Sequence, residues 1–76
     1  MLKVYGSTLC PDTMQCINDF DAKGVAYEFF DITKDLANLK AFLVLRDSSA
    51  VFEGVKAAKG IGIPAIVDEK GEITLG

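Results

Sequence analysis

The residues best suited to chemistry in this chain are Cys10-Pro11-Asp12-Thr13. Cysteine attacks and binds as its thiolate, and a free thiol holds its proton up to a pKa of about 8.5. Pro11 suits the first helical position, where its missing N–H is one the helix cannot pair anyway. Cys10 then stands at or next to the N-cap, beside unpaired backbone donors and the positive end of the helix dipole, a setting that favours the anion. The four-residue run therefore reads as a reactive thiol at a helix start. Thr13 falls one turn on, near N3, and two roles stay open for it: donating its hydroxyl to the Cys10 sulfur, or bonding to backbone. Asp12 works against the thiolate as a nearby carboxylate, but in a first turn it mainly complements the dipole. Cys16 lies six positions beyond Cys10, a helical rise of about 9 Å, whereas a disulfide needs Cα atoms within about 7 Å. Its spacing with Ile17 and Phe20 puts it on an apolar stripe, as a buried core thiol.

These residues need a fold to position them, and the composition allows one. Half of the 76 residues are apolar, enough for one domain spanning 1–76 that buries roughly 60% of its unfolded surface. Eleven acidic against eight basic residues give a net charge of −3, which argues against nucleic acid or an anionic membrane as the main partner. No apolar run is long enough to span a bilayer and no signal-peptide pattern opens the chain, so a soluble, cytoplasmic protein with reduced thiols is expected. Two cysteines and no histidine argue against a metal site built by this chain alone. Lys3, Lys56 and Lys59 are candidate cations for a substrate carboxylate, though isolated lysines are more often solvated surface. Gly60 and Gly62 lack the third glycine and the following helix of a dinucleotide fingerprint.

Residues 2–5 form the first strand. A helix from Pro11 to about Lys23 stops at Gly24 in the C′ role. Residues 25–32, rich in aromatic and β-branched types, read as a central strand. Thr33 or Asp35 caps the next helix, which runs to about Arg46 with Leu36, Leu39, Phe42, Leu43 and Leu45 facing inward. Ser48-Ser49 break it, and 50–58 form a short helical piece anchored by Phe52 and Val55. A loop through Gly60-Ile61-Gly62-Ile63-Pro64 leads to a strand at 65–67, a turn at 68–71 and a strand at 72–75. The order β-α-β-α-β-β makes an α/β fold. Its first two strands run parallel through a right-handed crossover, its last two form an antiparallel hairpin, and the sheet is mixed and four-stranded.

That order, with a Cys-Pro helix start and an Ile63-Pro64 pair before a strand hairpin, resembles the glutaredoxins of the thioredoxin-like fold over nearly the whole chain. It looks closest to small glutaredoxin-like proteins whose active site reads Cys-Pro-Asp-Thr. Phe30-Asp31-Ile32-Thr33 and Gly62-Ile63-Pro64-Ala65-Ile66-Val67, followed by Gly71, sit where that family has its second and third strands. The resemblance implies a cis peptide before Pro64, facing Cys10, with Pro11, Ile63 and Pro64 receiving the substrate. It implies a monothiol oxidoreductase: Cys10 attacks a glutathione mixed disulfide and a second glutathione releases it, because Thr13 stands where dithiol members carry a second cysteine. Glutathione is then the co-substrate, protein or glutathione mixed disulfides the partners, and no cofactor is covalently bound. Glutaredoxins usually continue with a Gly-Gly turn, an acidic residue for the γ-glutamyl amine and a last helix, whereas this chain stops at Gly76. A missing C-terminal helix, weaker glutathione recognition and a partly bare sheet face open to homodimerisation are therefore expected. Two other roles fit the same outline. One is a [2Fe–2S] carrier shared by two subunits and two glutathiones, against which Pro11 counts because cluster-binding monothiol members have glycine there. The other is a redox-inactive interaction module.

Overall fold

In the computed structural model, which describes residues 1–76, the chain runs β1 (Leu2–Gly6), α1 (Pro11–Lys23), β2 (Tyr27–Asp31), α2 (Leu36–Ser48), a 3-10 turn (Ala50–Phe52) leading into α3 (Glu53–Ala57), β3 (Ala65–Val67) and β4 (Ile73–Leu75). The boundaries have local causes. Pro11 opens α1, and Gly24 closes it at φ 69°, the left-handed conformation that glycine adopts without a Cβ penalty. Of the two candidate caps for α2, Asp35 is the one used: its carboxylate accepts the Ala37 N–H at 2.8 Å. Ser49 caps the 3-10 turn in the same way, accepting from Val51.

The strand order is β2-β1-β3-β4, with β1 parallel to β2 and antiparallel to β3, and β3 antiparallel to β4. The mixed four-stranded sheet is as expected, but β2 is an edge strand, not a central one. Its apolar run reflects cover on both faces: Tyr27 meets Phe20 of α1 with ring centroids 5.8 Å apart, and Phe30 stacks on Tyr5 at 5.0 Å. The centre of the sheet goes to β1 and to β3, which is only three residues long.

Pleating separates the two faces. On one, Tyr5 and Ala65 join Ile32, Phe42 and Phe52 in the core, with Phe30, Val67, Ile73 and Leu75 packed against them. Phe42 and Phe52 meet edge to face at 5.8 Å, so α2 and the 3-10 turn cover this side. Within α2 the inward stripe is Leu39, Phe42 and Leu45, while Leu36 and Leu43, expected inside, are 77% and 39% exposed. At about 100° per residue, positions 39 and 45 lie within ~60° of Phe42, whereas 36 and 43 are rotated by ~100–120°.

The other face carries α1 over β1 and β2. Thr13 is fully buried there, and a Cβ built on Gly6 would lie 2.6 Å from its Cγ2 and Oγ1. Only glycine in β1 allows the first turn of α1 to sit this close. Beside α1 a cleft of about 350 Å³ opens, bounded by Cys16, Phe20 and Gly76. No helix is long and apolar enough to cross a membrane.

Candidate functional site at one end of the sheet

Strand register gathers three connections at one end of the sheet. Gly6 pairs with Asp31 across β1 and β2, and Tyr5 pairs with Ala65 across β1 and β3. The Ser7–Cys10 loop, the Ile32–Asp35 turn and the Ile63-Pro64 approach to β3 therefore share that end. Cys10 and Pro64, 54 positions apart in sequence (64 − 10), are brought there together by the antiparallel pairing of β1 and β3.

Cys10 is the N-cap of α1, as expected, in extended conformation at φ −99° and ψ 117°. Its C=O accepts the Met14 N–H at 3.1 Å, the first bond of the helix, and its N–H donates to the Ser7 carbonyl at 3.0 Å. The thiol is half-buried and makes no capping bond. Pro11 is exposed at the first helical position and brings no N–H. The amides of Asp12 and Thr13 are left as the free donors of the first turn. Thr13 resolves toward backbone: its Oγ1 accepts the Ser7 N–H at 3.3 Å, and this bond runs to the loop, not to the sulfur.

The loop in front of Cys10 is tied to the end of β2. The Leu9 N–H donates to Ser7 Oγ at 3.0 Å, Ser7 Oγ lies 2.9 Å from Thr33 Oγ1, and Thr33 Oγ1 donates to Asp31 Oδ1 at 2.6 Å. The Thr33 N–H reaches the same carboxylate oxygen at 2.9 Å, and Thr8 Oγ1 the other at 3.4 Å. Asp31 is buried. The Thr33 hydroxyl holds its carboxyl below the usual carboxylate range, aided by the Thr33 backbone N–H and the Lys34 charge, with burial pulling the other way. Because the folded-state pKa is lowered, the stabilisation is complete above the unfolded value of about 3.9 and is lost as pH falls through the lowered one. The sequence places Asp31 in a strand and offers Thr33 as a helix cap, and neither reading shows this role. The signal was present as Asp-x-Thr, the spacing at which an aspartate accepts from the backbone two residues on.

At the same end of the sheet, the Ile63–Pro64 peptide is cis. Pro64 is buried and its carbonyl accepts the Gly76 N–H at 3.1 Å, while the N–H and C=O of Ile63 bond to nothing in the protein. The preceding loop is fixed from two sides. Gly62 sits at φ 96° with the Phe52 ring 2.8 Å from where a Cβ would be, so glycine is needed there on both counts. Arg46, from the last turn of α2, donates from Nε to the Ile61 carbonyl at 2.9 Å and from Nη2 to the Gly60 carbonyl at 2.6 Å. Its planar fork matches two successive carbonyls. In sequence this arginine is indistinguishable from a cation placed to complement a helix C-terminus.

Among the candidate cations, Lys56 is engaged with Glu53 at 3.3 Å. Lys3 lies at the second residue of β1, toward the other end of that strand, and Lys59 follows α3 in a left-handed conformation at φ 61°. Cys16 is a free thiol but not the core residue expected: it is only half-buried and lines the cleft beside α1. The reason is that α1 leans on β1 and β2 and leaves its other flank open. Burial, then the Asp19 carboxylate, push the Cys16 thiol up and keep it protonated at neutral pH.

No family model matches the chain, and no solved structure matches it. An uncharacterized protein of Haemophilus influenzae is 44% identical over 71 residues, which cover 93% of this chain and 81% of that protein. At that identity and coverage, the chain belongs to the same family as the Haemophilus influenzae protein.

Proposed function

We propose that this protein has a thioredoxin-like fold of the glutaredoxin kind and carries out thiol–disulfide exchange through Cys10, with glutathione as co-substrate. One observation carries the reading. Cys10 stands at the N-cap position of a helix whose first turn offers free amides, at the same sheet end as the unbonded backbone of Ile63. A helix N-terminus is in general a favourable setting for a thiolate nucleophile. The free N–H and C=O of Ile63 can pair with an extended peptide thiol, as an added strand pairs with a sheet edge.

The chemistry balances with one cysteine. The Cys10 thiolate attacks the glutathione sulfur of a mixed disulfide. A Cys10–glutathione bond forms, the substrate S–S bond breaks, and the substrate sulfur leaves as a thiolate that takes a proton from water. A second glutathione, as thiolate, then attacks the glutathione sulfur on Cys10. Glutathione disulfide departs and the Cys10 thiolate is restored; in sum, the substrate–glutathione disulfide and one reduced glutathione become the substrate thiol and glutathione disulfide. Thr13 supports the reaction from below, packing against Gly6 and anchoring Ser7.

Incubation with glutathione disulfide followed by peptide mapping tests this. The expected product carries glutathione on Cys10 alone, and reduced glutathione removes it. Addition to Cys16 in place of Cys10, or to neither, would refute the reading.

A further inference from the structure

The buried carboxylate Asp31 takes no part in the exchange steps, yet the hydrogen bonds around it reach the reacting residue. Their direction is set by donor count. Thr33 has one hydroxyl proton and gives it to Asp31 at 2.6 Å, so across the 2.9 Å Ser7–Thr33 contact Ser7 must be the donor. Ser7 Oγ is then free to accept, and it takes the Leu9 N–H at 3.0 Å. The order Leu9 N–H to Ser7 to Thr33 to Asp31 is a one-way chain ending on a charge, and bonds to a charged acceptor are the stronger kind. The loop it holds is short: the Ser7 carbonyl accepts the Cys10 N–H at 3.0 Å and the Ser7 N–H donates to Thr13. Ser7 thus ties the end of β2, the first turn of α1 and the Cys10 backbone together.

We propose that Asp31, acting through Thr33 and Ser7, is the positioning group that fixes the Cys10 backbone at the helix start. This deepens the exchange reading and rests on Cys10 as its reacting thiol. Asp31 touches no reacting atom; it orients the residues that hold the cysteine. Lys34 is the one cation whose charge acts on this carboxylate, and it lies on the same turn.

The experiment uses the whole chain and two readouts: amide hydrogen exchange at Leu9 and Cys10, and the iodoacetamide rate of Cys10 relative to Cys16. Thr33→Val keeps the side-chain shape and removes the relay. It is expected to speed exchange at Leu9 by about tenfold and to lower the Cys10-to-Cys16 ratio by several-fold, with Thr33→Ser restoring both to within about twofold. If Thr33→Val does not fold, Ser7→Ala removes the same link and is held to the same result. The proposal is overturned if exchange and ratio stay at wild-type values, if exchange rises with the ratio unchanged, or if Thr33→Ser fails to restore them. Failure of glutathione to add to wild-type Cys10 would instead sink the exchange reaction, a result read separately from these rates.

Discussion

Cys10→Ser is expected to lose the proposed glutathione-dependent reduction of a glutathionylated peptide by at least about a hundredfold, and Cys16→Ser to keep it within about twofold. A serine hydroxyl holds its proton at neutral pH and cannot form the mixed disulfide, so no route remains through position 10. Cys16 does not substitute. Its thiol is pushed up by burial and by Asp19, and it lines the cleft beside α1 nearly two turns beyond the N-cap. The loss is one of chemistry and not of folding. The Cys10 side chain is half-buried and caps nothing, so its replacement is expected to shift stability by no more than about 0.5 kcal/mol. Denaturation midpoints for both variants separate the two causes, and residual turnover in Cys10→Ser at near wild-type rate would contradict the assignment.

Phe52→Ala has the largest expected effect on the fold, a loss of about 3–5 kcal/mol. Phe52 is fully buried, meets Phe42 edge to face at 5.8 Å, and fills the space over Gly62. Small domains have only about 5–15 kcal/mol in total, so the variant is expected to be unfolded or nearly so at moderate denaturant. Val51→Ala is the matched control next door. Val51 is 45% exposed, and its truncation should cost about 0.5 kcal/mol or less. Chemical denaturation with a shared m-value measures both, and a Phe52→Ala loss under about 1 kcal/mol would show that the core is not organised around this ring.

Local signals in the chain carried much of this architecture. Pro11, Gly24 and Asp35 mark helix ends by their own backbone chemistry, and each acts where its type predicts. Phe52 and the hairpin turn at 68–71 are likewise local, and Asp68 accepts the N–H groups of Lys70 and Glu72 within that turn. What was not legible depends on partners distant in sequence. The edge position of β2 is set by β1 pairing with β3 on its other side. The exposure of Leu36 and Leu43 depends on which part of α2 faces the sheet. Arg46 reads as an ordinary helix-end cation until the loop at Gly60 and Ile61 folds under it. The site divides the same way. Cys10 and Pro11 were visible as a pair, but the tie from Asp31 to Ser7 spans 24 positions (31 − 7) and exists only once Gly6 pairs with Asp31.

The most direct measurement is site-resolved alkylation of the folded protein by iodoacetamide at neutral pH, with free glutathione as the reference thiol. Cys10, at the N-cap of α1, is expected to react faster than the reference and to exceed the Cys16 rate by at least about tenfold. A Cys10 rate no greater than that of free glutathione would contradict the account.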